Sequence, residues 1–429
     1  MTGPGAVIRT AEVIAVGSEL LGSTRVDTNS LYLAERLASL GIELRAKSVV
    51  GDNRREVAEH LRRGLERVDL ILLTGGLGPT DDDVTREALA DVLGLPLVEQ
   101  PAIVERLVQR FARRGLAMPD VNRRQALVIQ GGVVLENPNG TAPGQMVGVG
   151  HRLVVLLPGP PREVKPMMEM LVSGVLASRV GPERLFRATM FTVGRGESHV
   201  EELVQPIYSK WLHAAPAIET TILAAPGQIE LHLVTRSADA AAAERALESA
   251  RNELLAVLGR DVFSVDGRSM EEIVGQLLLD RKLTIAAAES CTGGLMLSRL
   301  TDIPGSSAYV LGGVVAYSNP LKVALTHVAA ALIEKHGAVS EPVAAALAEG
   351  IKSRTGASFG VGITGIAGPS GGTPQKPVGT VAIAVACSDR ATRVRTYSLF
   401  GPRSLIKFQA AQMGLDMVRR VLLEPADSQ

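Results

Sequence analysis

The sequence has few of the residues that build metal centres, disulfide frameworks or stacking surfaces. Its two cysteines, Cys291 and Cys387, are too few for a disulfide framework or a cysteine zinc site in 429 residues. Seven histidines occur without a His-Glu-x-x-His motif, which gives a zinc hydrolase little support. Aromatic residues make up 3% of the chain, with one tryptophan, so base stacking is not the expected main activity.

A net charge and long apolar runs are also missing. Lys and Arg together number 45, as do Asp and Glu, so no overall basic field would attract nucleic acid or an anionic membrane. No stretch reaches the roughly 18 uninterrupted apolar residues of a membrane span, and residues 1–5 lack the charged-then-apolar pattern of a signal peptide. We therefore expect a cytoplasmic protein whose main ligand is neither nucleic acid nor a membrane.

What the chain does have is an alternation of short apolar runs and helical patterns. Residues 1–180 alternate strands such as 70–73 with helices such as 28–40, which predicts a doubly wound, mainly parallel sheet. The pattern changes to a small α+β segment over residues 181–265, and the alternation resumes over residues 266–429. The predicted fold class is α/β: two α/β sandwich domains with parallel-rich sheets, joined by a small α+β domain.

Three polar loops each follow a predicted strand of the first domain, at residues 17–21, 74–83 and 158–161. The carboxyl ends of parallel strands meet at one edge of a sheet, so these loops should converge on one crevice. Their glycines expose backbone amides to phosphate, and the aspartates at 81–83 either hold a hydrated divalent cation or cap the helix that follows. A fourth segment, 137–144, is either another ligand loop or a pair of turns.

A serine in the last domain occupies the position where a strand turns into a helix. The run Glu289-Ser290-Cys291-Thr292-Gly293-Gly294 follows the apolar residues 283–288, and the amides of the helix start could stabilise an anion. Ser290 is therefore either a nucleophile or a helix cap, and Cys291 is the competing nucleophile.

A lysine follows in the segment Tyr317-Ser318-Asn319-Pro320-Leu321-Lys322. Lys322 is the best candidate for the general base, because partial burial would lower its pKa, and the alternative is a solvated surface lysine. Tyr317 would relay the proton or orient the lysine. The glycine-rich run at residues 364–372 follows another strand and should wrap a nucleotide.

These motifs resemble the competence/damage-inducible protein CinA family over essentially the whole chain. The motifs of the first domain are Glu19-Leu20-Leu21, Asp27-Thr28-Asn29, Val50-Gly51-Asp52, the loop at 75–83 and the segment at 158–161. Those of the last domain are residues 289–294, Tyr317-Ser318-Asn319, residues 337–342 and Gly365-Ile366-Ala367-Gly368-Pro369. Several motifs in a fixed order make chance agreement a poor explanation.

The resemblance implies two activities. The first domain, related to molybdopterin-binding proteins, would hydrolyse the pyrophosphate of ADP-ribose with a divalent metal of the Mg, Mn or Co class. The last domain would deamidate nicotinamide mononucleotide (NMN) to nicotinic acid mononucleotide and ammonia without a cofactor.

The middle segment resembles a KH-type domain, but its nearest approach to a Gly-x-x-Gly clamp is Gly194-Arg195-Gly196-Glu197. We expect it to be a spacer or dimer element in a homodimer.

The resemblance also implies site residues. Ser290, Lys322 and Tyr317 would be catalytic, and Asp82 and Asp83 would bind the metal. Substrate would be bound by Glu19, Asn29, Gly75, Gly76, Gly78, Thr80 and Pro160 in the first domain and by Thr292, Gly293, Gly294, Thr364, Gly365, Gly368, Arg403 and Lys407 in the last. Lys407 stands where the family often has a second arginine, and a lysine cannot form a bidentate fork. The alternatives are a deamidase with a silent first domain, or a nucleotide- or pterin-binding scaffold for competence and DNA recombination.

Overall fold

The computed structural model describes residues 6–424, so residues 1–5, where a signal pattern is missing from the sequence, lie outside it. The described chain divides into two compact units. One comprises residues 6–186 and 236–243, and the other comprises residues 187–235 and 244–424.

The first unit is built around a six-stranded sheet of order β2-β1-β3-β8-β7-β6. Its elements are β1 Thr10–Val16, α1 Asn29–Ser39, β2 Glu43–Val50, α2 Arg54–Arg67, β3 Leu70–Thr74, α3 Thr85–Leu93, β4 Leu97–Glu99, α4 Pro101–Ala112, β5 Leu127–Ile129, β6 Val133–Leu135, β7 Gly144–Val149, β8 Arg152–Leu157 and α5 Pro161–Leu171. The four strands β2, β1, β3 and β8 pair in parallel, whereas β7 and β6 add antiparallel pairings. Strands β4 and β5 pair separately.

Both faces of this sheet are covered by helices, as the apolar strands predict. Along β3, Leu70 and Leu72 pack in a cluster with residues of α1 and α5, whereas Ile71 and Leu73 pack with residues of α2 and α3. Side chains alternate across a strand, so a continuous apolar run buries both of its faces. The prediction of a mainly parallel sheet in the first domain is confirmed.

The second unit contains a four-stranded and a five-stranded sheet, of orders β10-β11-β9-β12 and β14-β13-β15-β16-β17. The elements of the smaller sheet are β9 Arg184–Thr192, α6 Glu197–Tyr208, β10 Ile218–Ala225, β11 Gln228–Ser237, α7 Ala240–Leu258 and β12 Val262–Ser264. Those of the larger are α8 Met270–Asp280, β13 Ile285–Glu289, α9 Leu295–Thr301, β14 Val310–Val315, α10 Asn319–Thr326, α11 Ala330–His336, α12 Glu341–Thr355, β15 Phe359–Gly365, β16 Thr380–Ala386, β17 Arg393–Ser398 and α13 Arg403–Leu423.

The five-stranded sheet is mixed rather than parallel throughout. Strand β13 pairs in parallel with β14 and β15, but β15–β16 and β16–β17 are antiparallel. For β16 and β17 the physical reason is the connection: residues 387–392 can turn the chain back but are too few for the crossover that a parallel pair requires. The predicted helix start at Ser269 is confirmed by a capping box with Glu272.

Helix α12 lies unusually close to β15, and glycine makes this approach possible. A Cβ atom on Gly360 would lie 2.1 Å from the carbonyl oxygen of Ala348, and one on Gly362 would lie 2.2 Å from that of Ala344. Any larger residue would push the helix off the sheet. This packing fixes β15, whose backbone in turn supports the turn at Ser290.

Candidate active site

Ser290 begins a tight turn between β13 and α9. Its amide donates to the carbonyl oxygen of Ile363 on β15 at 2.9 Å, and the amide of Gly293 donates back to the carbonyl oxygen of Ser290 at 3.1 Å. Gly293 and Gly294 have φ values of 63° and 90°, in the left-handed region that favours glycine. The two glycines therefore let the chain reverse directly after the serine.

Lys322 lies on α10, whose first turn is capped by the side chain of Ser318. Its Nζ lies 3.1 Å from Ser290 Oγ, 3.0 Å from the carbonyl oxygen of Ala316 and 3.1 Å from that of Tyr317. Lys322 is 2% exposed and Ser290 is 7% exposed. Burial lowers the pKa of Lys322, and within residues 6–424 no carboxylate pairs with it. The structure thus brings the predicted nucleophile and base into contact.

Lys322 Nζ has three oxygen neighbours: Ser290 Oγ and the carbonyl oxygens of Ala316 and Tyr317. As an ammonium, it donates one N–H to each of them. Once it has lost a proton, its two remaining N–H groups can stay on the carbonyl oxygens, and its lone pair can then accept the Ser290 hydroxyl proton. This is the arrangement that a general base for serine requires.

Cys291 does not compete with Ser290. Its side chain belongs to the hydrophobic core, and burial raises the pKa of its thiol to about 12. Because the thiolate is the reactive form of cysteine, this thiol stays unreactive near neutral pH.

The first turn of α9 differs from the expectation that its amides stabilise an anion. The fully buried carboxylate of Glu289 accepts the amide of Leu297 at 2.9 Å and that of Met296 at 3.2 Å. These amides are therefore occupied. The amides of Thr292 and Gly294 have no acceptor among residues 6–424, and the buried hydroxyl of Thr292 is likewise unpartnered there. Any main-chain donor for an oxyanion would come from this turn.

Two cations at the start of α13 flank the serine turn. Arg403 donates to the carbonyl oxygen of Gly368 and to the Tyr317 hydroxyl, each at 2.7 Å. The Nζ of Lys407 lies beside Gly293, 3.5 Å from where a Cβ would be. Tyr317 thus contacts Lys322 through its carbonyl oxygen, whereas its phenol contacts Arg403. The glycine-rich segment is held next to this site by Arg403.

The predicted binding residue Thr364 is engaged within the protein. Its buried hydroxyl donates to the carbonyl oxygen of Ala338 at 2.8 Å. A Cβ on the adjacent Gly365 would lie 3.0 Å from Cys291 Sγ. Sequence reasoning missed Lys376, which donates to the carbonyl oxygens of His336 and Val339 at 3.0 and 2.7 Å. These contacts hold Thr364 and Lys376 against the backbone of residues 336–339.

The strand-end loops of the first unit converge, as predicted. The Asn29 amide donates to the carbonyl oxygen of Gly159 at 2.7 Å, and a Cβ on Gly159 would lie 3.6 Å from the Cα of Gly75. Glu19 is exposed and its carboxylate lies beside Gly17, while Pro160 precedes α5. Residues 137–140 form a turn, because the Asn137 side chain accepts the amides of Asn139 and Gly140.

The aspartate loop is organised by its own side chains. Asp83 accepts the amides of Gly78 and Thr80 at 2.7 and 2.9 Å and the Thr80 hydroxyl at 2.6 Å, whereas the exposed Asp81 pairs with Arg124 at 2.9 Å. None of these aspartates caps α3, whose N-cap position is Val84. Asp82 is exposed, and the neighbouring Thr80 lowers the pKa of its carboxyl group.

Sequence reasoning also missed Arg86 in this loop. Its fully buried guanidinium donates to the carbonyl oxygens of Leu77 and Gly78 at 2.7 and 2.9 Å, and burial lowers its pKa. Gly76 packs against Thr85: a Cβ atom on Gly76 would lie 2.2 Å from the Thr85 hydroxyl oxygen.

Within the described residues, no group of three or more His, Cys, Asp or Glu side chains is arranged to hold a metal ion.

Known proteins resemble this chain along nearly all of its length. Residues 267–422 match the family model of the CinA C-terminal domain, and residues 12–178 match that of a probable molybdopterin binding domain. A CinA-like protein of Koribacter versatilis is 47% identical over 417 residues, which cover 96% of this chain and 100% of that protein. A CinA-like protein of Acidobacterium capsulatum is 44% identical over 421 residues, with coverages of 96% and 100%. The chain belongs to the CinA family.

One solved structure also matches part of this chain. The competence/damage inducible protein of Agrobacterium tumefaciens shares 34% sequence identity and covers 37% of this chain and 98% of its own, with a TM-score of 0.35. The family resemblance predicted from the motifs is confirmed by the full-length relatives. Along residues 6–424, this CinA-family chain has no helix whose length and apolarity would let it cross a bilayer.

Proposed function

We propose that this CinA-family chain is an amide hydrolase in which Ser290 is the nucleophile and Lys322 is the general base. The supporting observation is the 3.1 Å contact between Lys322 Nζ and Ser290 Oγ, with both groups buried and the lysine pKa lowered. The proposed substrate is NMN, which would give nicotinic acid mononucleotide and ammonia.

The proposed reaction has two stages. Lys322 accepts the Ser290 hydroxyl proton as Oγ attacks the carboxamide carbon, and the tetrahedral intermediate then collapses with loss of ammonia, which takes its proton from Lys322. Water next attacks the acyl-serine and gives a proton to Lys322. The second tetrahedral intermediate then collapses, Lys322 returns that proton to the leaving Ser290 Oγ, and the carboxylic acid is released. The unpaired amides of Thr292 and Gly294 are the candidate donors to the oxyanion.

Substrate recognition would use the cations of α13. A nucleotide carries a phosphate, and Arg403 and Lys407 supply positive charge beside the serine turn. Arg403 can present a planar fork, whereas Lys407 acts as a point charge. No metal or cofactor is needed for the proposed amide hydrolysis.

The decisive experiment measures ammonia and nicotinic acid mononucleotide from NMN. Ser290→Ala should lower kcat by at least about 10³-fold, because the covalent nucleophile is lost. Lys322→Met should lower kcat by about 10²- to 10⁴-fold. The exposed residues Ser353 and Lys335 provide matched controls, Ser353→Ala and Lys335→Met, which should keep normal turnover. Normal turnover in Ser290→Ala would contradict the proposal.

For the first unit we propose ADP-ribose hydrolysis as a second activity. It is supported by the convergence of the loops around Asn29, Gly75 and Gly159, which have the glycines and polar groups of a phosphate-binding crevice. A metal centre made by the protein alone does not fit the described residues. Asp83 accepts hydrogen bonds from its own loop and Asp81 pairs with Arg124, which leaves the exposed Asp82 as the carboxylate available to a metal. Magnesium is often held by one or two carboxylates together with substrate phosphates, so the divalent metal stays a prediction centred on Asp82.

Two other functions remain alternatives. If the first unit has no catalytic activity, the chain is a deamidase only. Measuring ADP-ribose turnover distinguishes this case from a chain with both activities. A nucleotide- or pterin-binding scaffold for competence would bind ligand without releasing ammonia. The buried Ser290–Lys322 contact favours an enzyme, since a binding module does not require it. The cytoplasmic location and the homodimer are also parts of our proposal.

A further inference from the structure

A large cleft lies in the same unit as Ser290 and is lined by residues other than those of the serine site. Its volume is about 1040 Å³, at the upper end of the roughly 300–1,000 Å³ typical of ligand pockets. Its walls are the loop at residues 194–197, the turn between β10 and β11, strand β17 and the second half of α13. Nothing in the proposed amide hydrolysis uses this cleft.

One of its arginines is not neutralised. Arg195 and Arg420 contact Asp261 at 2.5 and 2.9 Å, and Arg393 pairs with Glu424. In contrast, Arg395 pairs with no carboxylate in the described part of the chain, and its guanidinium carbon lies 5.0 Å from the ring centre of Tyr397. A guanidinium held on an aromatic ring can still bind an anion and can present its second face to a flat ligand.

Two further groups in the cleft lack a partner of their own. Phe400 is 77% exposed, although it is a large aromatic side chain. The side-chain oxygen of Gln409 on α13 is buried and accepts no hydrogen bond from residues 6–424. Buried acceptors are nearly always satisfied, so this oxygen calls for an N–H or O–H donor.

The three groups together describe one kind of ligand. Arg395 can bind an anion, Phe400 offers a surface for a flat ring, and the side-chain oxygen of Gln409 can accept from a donor such as a ring amino group. We propose that this cleft is a second binding site, separate from the serine site, for a nucleoside phosphate. The proposal does not depend on the amide hydrolysis.

The test uses the full-length chain and the photoreactive probe 8-azido-AMP. After irradiation and tryptic digestion, mass spectrometry should find label within residues 396–401 or 409–417, and unlabelled AMP should compete with it. Arg395→Glu should reduce this labelling about tenfold or more, because it replaces a charge-assisted hydrogen bond with repulsion. Gln409→Leu should also reduce it, and Arg354→Glu, which changes an exposed arginine elsewhere in the unit, should not.

Two outcomes would overturn the second site. One is label confined to the serine turn, Arg403 or the loops of the first unit. The other is unchanged labelling of the cleft in both Arg395→Glu and Gln409→Leu while thermal melting shows that each variant is folded. Ammonia release from NMN, measured on the same samples, reports on the serine site separately, so the failure of one proposal is distinguishable from the failure of the other.

Discussion

The guanidinium of Arg403 donates a 2.7 Å hydrogen bond to the hydroxyl of Tyr317 and so connects the start of α13 with the segment before α10. Tyr317 contacts Lys322 only through its carbonyl oxygen in this structure. The tyrosine side chain is therefore placed to position Arg403, which we propose binds the substrate phosphate, rather than to carry the proton of Ser290.

Tyr317→Phe tests this distinction. Removing the hydroxyl should raise the KM for NMN about 2- to 12-fold, corresponding to the 0.5–1.5 kcal/mol of one hydrogen bond, and leave kcat nearly unchanged. Steady-state ammonia release at several NMN concentrations gives both constants. If kcat instead falls by roughly 100-fold or more while KM is unchanged, Tyr317 is a proton relay.

Glu289 should stabilise the serine turn. Glu289→Ala leaves the amides of Met296 and Leu297 without their acceptor in a buried place, at a cost of about 1–3 kcal/mol for each amide. We expect a lower melting temperature and a lower kcat. Glu289→Gln keeps one acceptor oxygen, so its melting temperature and kcat should lie between those of Glu289→Ala and those of the unchanged chain. Glu334→Ala, at an exposed position, is the control, and equal melting of all four proteins would refute this role.

The lowered pKa of Lys322 makes a prediction about stability and pH. The unfolded chain takes up the lysine proton as the pH falls below the ordinary value of 10.5, whereas the folded chain takes it up only at its lower pKa. Between these two values the unfolded state binds more protons, so this residue makes stability rise with pH. Lys322→Met removes that slope. Relative to the unchanged chain, the free energy of unfolding of Lys322→Met should be highest at pH values below the folded-state pKa of Lys322. This advantage should then decrease progressively up to pH 10.5.

Urea unfolding over a pH series measures this difference. The relevant quantity is the free energy of unfolding of Lys322→Met minus that of the unchanged chain, with Lys335→Met as the control. Activity gives a second reading, because turnover of the unchanged chain should rise with pH as Lys322 loses its proton. A stability difference that is flat with pH would mean that the pKa is not lowered.

Asp82 and Asp83 should have different roles. Asp83→Asn replaces an acceptor oxygen with an amide nitrogen facing Gly78 or Thr80, which should destabilise the first unit by about 1–3 kcal/mol. Asp82→Asn, at an exposed position, should leave melting unchanged. If ADP-ribose is hydrolysed with a metal, Asp82→Asn should raise the half-saturating metal concentration about tenfold, equal to 1.4 kcal/mol. Cleavage that a chelator does not affect would rule out the metal.

The sequence indicated the elements and the proposed catalytic pair because both were recognised from local patterns. Apolar runs marked the strands, and a serine followed closely by two glycines marked the turn after β13. Other contacts depend on distant backbone atoms: Arg86 binds two carbonyl groups of its loop, Lys376 binds two from another segment, and Glu289 binds two amides of the next helix. No side-chain pattern shows which backbone groups will lack a partner, so these roles could not be predicted.

The last prediction concerns where the amidase part of the chain can be cut. Ser290 and Lys322 both lie after residue 265, which suggests that a fragment beginning at Val265 would keep the active site. However, the buried Arg419 donates to the carbonyl oxygens of Arg260 and Val262 at 2.6 and 3.3 Å, and Arg420 pairs with Asp261. A cut at Val265 removes all three partners of α13.

We therefore expect a fragment of residues 259–429 to be more stable than one of residues 265–429. Hydrogen bonds to charged groups contribute about 1.5–3 kcal/mol each, and in the shorter fragment Arg419 loses two backbone acceptors while it keeps Asp416. Urea unfolding should show the longer fragment to be more stable by about 2–4 kcal/mol. Both should deamidate NMN with a kcat within about tenfold of the full chain, because the Ser290–Lys322 contact is intact in each. A folded but inactive longer fragment would show that residues before 259 or a second subunit complete the site.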